Sequence, residues 1–227
     1  MDVVPSAGAR RLRTSRRRRG ARGARSCRPH RGPRRHARDV GVGTGRGRPY
    51  RSAPMKTIVA FSGSTRAASF HTRIIRALPG LAPEGVQIAH FDLSDVPFYN
   101  QDLEGDAQPA AVVAMRAAVA EADGVILAAP EYNGSYSALT KNTIDWLTRP
   151  MGGGALRGRK VMVISVTPGP GGGQRISKTL SEVLPFFDNQ VVAVVNAATV
   201  HEKMAADSDT VTDPDLVAAL TAGLAAF

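Results

Sequence analysis

Cysteine is nearly absent. The single one in 227 residues, Cys27, lies in the first quarter of the chain. After that point no disulfide, thiolate nucleophile or cysteine metal site can form. A reducing, cytoplasmic setting is the expectation that follows. No apolar run approaches the ~20 residues a membrane-spanning helix needs. His90 and His201 lack the spacing of metal ligands, so no metal site is read from them. No nucleophile-and-base triad is recognisable.

Lysine is missing from residues 1–54, which hold 17 Arg against two acids, Asp2 and Asp39, a charge of +15. Residues 55–227 carry −4, so all of the chain's +11 excess comes from the first segment. That segment is rich in Arg, Gly, Pro and Ala and has almost no apolar periodicity. It cannot bury enough surface to offset the entropy of ordering, so disorder is expected there. Clustered arginine could serve as a nucleic-acid-binding arm, because it neutralises phosphates without a fold. An export or transit signal fits less well, since there is no apolar core and Gly and Pro interrupt any amphipathic helix. The composition fits best with a GC-rich upstream reading frame, with Met55-Lys56-Thr57 as the start. The expected organisation is an Arg-rich extension over 1–54 and one domain over 55–227, long enough to bury a sizeable core.

From Met55 onward, short apolar runs alternate with helical patterns. Strands are predicted at 57–61, 86–93, 125–129, 160–166 and 191–196. Helices are predicted at 70–78, 109–122, 138–147, 174–186 and 212–226, the last with Thr212 as its N-cap. Such alternation builds a parallel sheet covered on both faces, an α/β fold with every strand's C-terminal end on one edge. Ligands bind along that edge, so the loops after strands one to four carry the information.

The loop after strand one, Ser62 to His71, reads SGSTRAASFH. It is neither Gly-x-Gly-x-x-Gly nor a Walker A sequence. Its hydroxyls, one guanidinium and the amides of a helix start suit a phosphate. A well-capped helix with Ser69 as its cap would use the same residues. Arg66 tips the reading toward an anion, because a cation at a helix N-terminus is unfavourable without one. After strand three comes PEYNGSYSALTKNTIDW, Pro130 to Trp146. An Asn-Gly turn accounts for Asn133 and Gly134 but leaves Glu131 and Tyr132 unexplained.

Together these stretches resemble the NADPH-dependent FMN reductases of flavodoxin-like fold. The match in the first loop is Gly63, Ser64, Arg66 and Ser69. After strand three it is Pro130, Glu131, Tyr132, Asn133 and Ser135, then Lys141, Asn142, Asp145 and Trp146. The loop TPGPGGGQR, Thr167 to Arg175, and the segment VPFYNQDLEG, Val96 to Gly105, also match. His71 replaces the family's asparagine, Ser137-Ala138 its Pro-Gly, and Thr140 its leucine.

The resemblance implies a three-layer flavodoxin-like sandwich with a five-stranded parallel sheet, order 2-1-3-4-5. It implies that Ser64, Arg66 and Ser69, with His71 as a fourth contact, hold the FMN phosphate. Pro130, Glu131, Tyr132, Asn133, Gly134 and Ser135 would line the flavin ring. Thr167, Gly169 and Gly172 would form a mobile wall, and Arg175 would contact either an NADPH phosphate or a carboxylate in a neighbouring helix. Trp146 and Ile144 are read as core or subunit interface, and Lys141 and Asn142 as anchors of the hallmark loop or a partner chain. The implied activity is an FMN-dependent NAD(P)H oxidoreductase, an FMN or quinone reductase, in a homodimer or homotetramer. Its chemistry would occur at flavin N5, with no catalytic side chain. Its acceptors would be quinones, azo compounds, chromate-like oxyanions or free flavin. Two alternatives stand beside it: a flavodoxin-like electron carrier for a protein partner, and a nucleic-acid binder acting through the Arg-rich N-terminus.

Overall fold

The computed structural model describes residues 54–227, so the expectations for the Arg-rich extension lie outside the described residues. Strand and helix alternate as β1 (Lys56–Ser62), α1 (Phe70–Ala77), β2 (Val86–Phe91), α2 (Ala110–Glu121) and β3 (Gly124–Ala128). A small hairpin, β4 (Glu131–Tyr132) and β5 (Ser135–Tyr136), leads into α3 (Ala138–Leu147). The chain continues through β6 (Lys160–Val166), α4 (Gln174–Val183), β7 (Gln190–Ala197) and α5 (Pro214–Ala225).

Five strands form one sheet in the order β2-β1-β3-β6-β7, and every neighbouring pair is parallel. Counted without the hairpin strands, this is the expected 2-1-3-4-5 order. The labels differ because β4 and β5 make a separate two-stranded sheet. Two-residue strands carry no periodicity, which is why the pattern of apolar residues does not show them.

The three central strands send alternate side chains to opposite faces, and both faces are buried. Val59, Phe61, Val125, Leu127, Val161 and Val163 enter one core with α2, α3 and α4. Ile58, Ala60, Ile126, Ala128, Met162 and Ile164 enter the other with α1 and α5. The result is a three-layer flavodoxin-like sandwich whose β1, β3 and β6 all end on one edge.

Two helix boundaries differ from expectation by more than one residue. Asp213, not Thr212, caps α5: its carboxylate accepts the N–H of Leu216 at 2.8 Å. Pro214 supplies the first helical position, where its missing N–H costs nothing, and this moves the cap one residue later. α4 stops at Val183 and passes into a 3-10 turn over Leu184–Phe187 that contains Pro185. Among the described residues, no helix is long and apolar enough to cross a membrane.

Candidate functional site

The loop after β1 turns sharply at Gly63, which is buried against the start of α3. A side chain there would meet Pro130 Cδ at 2.7 Å and the hydroxyls of Thr140 and Ser137. Ser137 caps α3 by accepting the Thr140 N–H at 3.1 Å, and its own hydroxyl donates to the Gly63 carbonyl at 2.6 Å. The departures at 137 and 140 therefore supply the hydroxyls that tie the loop after β1 to the loop after β3.

Ser69 caps α1, as expected, accepting the Thr72 N–H at 3.4 Å. Ser62 and Thr72 share a buried hydroxyl hydrogen bond of 2.7 Å that fixes the helix start on the strand end. Between these anchors the loop is exposed. Ser64 Oγ accepts the Arg66 N–H at 3.3 Å, and the Arg66 guanidinium donates to the Ala68 carbonyl at 2.6 Å. The amides of Thr65, Ala67 and Ala68 find no acceptor among the described residues.

His71 sits deeper than a phosphate ligand needs. It is buried, its Nε2 accepts the Val166 N–H at 3.2 Å, and the ring also faces the Ala129 carbonyl. Burial drives its pKa from 6.5 down to about 4, and the Ala129 carbonyl only partly opposes the shift. With Nε2 accepting from the backbone, the neutral imidazole carries no charge to attract an anion. It joins the ends of β3 and β6 directly beneath the site.

β3 is followed by Ala129, whose N–H donates to the Ile164 carbonyl of β6 at 2.8 Å. Pro130 then opens the β4–β5 hairpin, in which Glu131 pairs with Tyr136 and Tyr132 with Ser135. Asn133 and Gly134 both adopt left-handed backbone, φ 53° and 76°, the geometry of a two-residue hairpin turn. The Arg175 guanidinium lies over Gly134 and reaches the Glu131 carboxylate at 3.7 Å. Of the two partners expected for Arg175, the structure supplies a carboxylate, on the hairpin rather than on a helix. The Tyr132 hydroxyl meets Ser64 Oγ at 3.4 Å, across from the first loop. After β6, Thr167 organises its own turn, donating to Gly169 O and accepting from Gly172 N–H, both at 2.9 Å.

These loops enclose one cavity of about 420 Å³. Ser64, Arg66, Ser69 and His71 line it on one side, Pro130, Glu131 and Tyr132 on another, and Thr167 closes it. Asn133, Gly134 and Ser135 at the hairpin tip, and Gly169 and Gly172, do not line it. The donor set fits a flavin mononucleotide: unpaired loop amides, serine hydroxyls and one guanidinium suit a dianionic monophosphate. The hairpin and the Thr167 turn offer polar edges to a flat ring. No group of three or more potential metal ligands gathers among the described residues.

The role of the hallmark helix emerges only in three dimensions. Asn142 accepts the Tyr99 N–H at 2.7 Å and donates to the Pro97 carbonyl at 2.9 Å. Trp146 Nε1 donates to the same carbonyl at 2.8 Å, and its ring meets Tyr99 edge-on at 5.0 Å. Lys141 pairs with Asp145 along the helix surface. Asn142 thus anchors the segment after β2. Phe98, within that segment, lines a neighbouring cavity that shares Ser64, Arg66 and Tyr132 with this one, and sequence reasoning missed it.

The sequence pattern of the NADPH-dependent FMN reductases matches residues 56–205. The chain is 40% identical over 139 residues to an NADPH:quinone oxidoreductase of Arabidopsis thaliana, covering 60% of this chain and 69% of that one. It is 35% identical over 137 residues to a quinone reductase of Escherichia coli (strain K12), covering 60% and 72%. Among solved structures, it resembles FerB, a flavoenzyme NAD(P)H:(acceptor) oxidoreductase from Paracoccus denitrificans, with TM-score 0.65 and 30% identity over 76% of this chain and 94% of that one. The chain belongs to the NADPH-dependent FMN reductase family: it is an oxidoreductase with FMN as cofactor and NAD(P)H as donor.

Proposed function

We propose that residues 55–227 form a reductase domain that carries hydride equivalents from NAD(P)H, through bound FMN, to quinones. Azo compounds, chromate-like oxyanions and free flavin are further acceptors in this reading. One observation carries it: the loops after β1, β3 and β6 converge on a single cavity, with anion donors at one end and a polar-edged hairpin at the other.

Ser64, Arg66, Ser69 and the amides of Thr65, Ala67 and Ala68 hold the phosphate. Arg66 exchanges its loop carbonyl for a phosphate oxygen, a stronger charge-assisted bond. His71 contributes from beneath by holding the ends of β3 and β6 at a fixed separation. Pro130, Glu131 and Tyr132 present the ring platform, and the Asn133-Gly134 turn fixes the hairpin that carries them. Thr167 forms the wall opposite, held by its bonds to Gly169 and Gly172. Bound there, FMN would supply two-electron redox chemistry between NAD(P)H and the acceptor. The protein orients the reactants, while solvent supplies the protons that turn a quinone into a quinol. No side-chain nucleophile or acid–base pair is required.

The reading extends to a homodimer or homotetramer, supported by the large exposed side chains Met151 and Phe186 lining one cavity. It extends also to a cytoplasmic setting, supported by the near absence of cysteine. The test is a Met55-started protein. It should take up FMN and turn yellow, NADPH should bleach it anaerobically, and an acceptor screen should show rapid quinone-dependent NADPH loss. Protein that stays colourless with FMN present would end the proposal.

A further inference from the structure

A second cavity, about 460 Å³, adjoins the cofactor cavity, and the two share Ser64, Arg66 and Tyr132. Its remaining walls include Gly63, Leu139 and Phe98. Phe98 is 77% exposed. A lone exposed phenylalanine is ordinary on a protein surface, but the backbone on both sides of this one is fastened. Pro97 O receives two hydrogen bonds, from Asn142 and Trp146, and the Tyr99 N–H donates to Asn142. The Tyr99 side chain is held as well, by its 2.5 Å bond to Glu104 and by the Arg149 guanidinium 5.4 Å from its ring.

The neighbours of Phe98 are thus locked inward while its own ring stands in the cavity. A ring kept from collapsing onto the core gains nothing for stability. It is, however, pre-organised to stack on something flat. The cavity's size falls within the range of small-molecule sites, and Phe98, Tyr132 and Leu139 give it an apolar face suited to an aromatic ring.

We propose that this cavity is the acceptor site, that Phe98 is the wall on which a quinone ring stacks, and that Asn142 and Trp146 are positioning residues that hold it there. The inference rests on the reductase reading above and adds where the acceptor binds and what selects it.

The test uses FMN-loaded full-length protein, with FMN uptake measured first. Anthraquinone-2-sulfonate is titrated into the oxidised protein without NADPH and its Kd read by calorimetry. KM is then measured for the same compound and for ferricyanide, which has no ring to stack. Phe98→Ala should weaken the Kd and raise the quinone KM about tenfold, the scale of one lost ring contact. Phe98→Tyr should stay within about threefold of the parent because the stacking face is kept, and Asn142→Ala should lose about threefold. The ferricyanide KM should not follow in any of the three.

An unchanged Kd in Phe98→Ala overturns the proposal. So does a loss that Phe98→Tyr fails to restore, or an equal rise for ferricyanide. A change in oligomeric mass by light scattering with the Kd intact overturns it too, and makes the ring a contact between copies. Failure to take up FMN removes the reductase reading itself, a result read separately from the acceptor titration.

Discussion

The loops after β1 and β3 face each other across one cavity, yet they are built in opposite ways. The first holds its groups through side chains that bond back onto the loop itself, as Arg66 does to Ala68 and Ser64 to the Arg66 amide. Those bonds can be exchanged for bonds to a ligand at little structural cost. The second is shaped by backbone, through a hairpin with two left-handed residues tied to Gly63 by the Ser137 hydroxyl. A phosphate needs donors that can turn toward it, whereas a rigid ring needs a surface already in place. Side-chain changes in the first loop should therefore cost affinity, and changes at the backbone anchors should cost the fold.

Gly63→Ala strikes the joint between the two loops and should do the most damage. The added methyl collides with Pro130 and two hydroxyls, an overpacking cost of about 3 kcal/mol. Urea denaturation should show that loss together with failure to take up FMN, and near-parental stability would break the comparison. Arg66→Ala should act in the other direction. FMN affinity should fall about 30-fold, the worth of a bond to a charged group, while the unfolding midpoint of FMN-free protein barely moves. Paired titration and melting curves would separate the two effects.

The imidazole of His71 ties the strand ends beneath both loops, and acid should expose that tie. Its pKa is 6.5 when unfolded and about 4 when folded, so the unfolded chain binds the proton more tightly between those values. The stabilisation is fully present above pH 6.5 and declines as pH falls toward 4, by at most about 1.4 kcal/mol per pH unit. His71→Gln should flatten that part of the stability–pH profile, and a slope that persists in the variant would assign it elsewhere. The smallest effect is expected at Gly134. A methyl at φ 76° against the Arg175 guanidinium should cost about 1 kcal/mol of stability, which calorimetric melting would register. A neutral Gly134→Ala would mean that the hairpin tip is less rigid than the turn geometry implies.

The layered fold was legible because each central strand is an unbroken apolar run between turn signals, and the helices between them are periodic. The convergence of the three loops was legible too, since parallel strands must end on one edge. Ser69 was readable as a cap from its place before an apolar helix, whereas Thr212 and Asp213 compete for the same role and only the geometry at Pro214 decides. Phe98 was not readable. Its significance comes from Asn142 and Trp146, more than forty residues away, and nothing local marks a phenylalanine as held in place from both sides. The bond between His71 and the end of β6 was unreadable for a similar reason: its neighbours in sequence form the anion loop, while Val166 lies on a strand that no local pattern connects to it.

Trp146 is the chain's one tryptophan, and it lies fully buried with its indole N–H committed to Pro97. The intrinsic fluorescence of the protein therefore reports from a single place, directly under the segment that carries Phe98. Because FMN absorbs where indole emits, loading should dim that signal by resonance energy transfer. The molecule thus contains its own label-free gauge of occupancy, readable on nanomolar samples without any engineered dye.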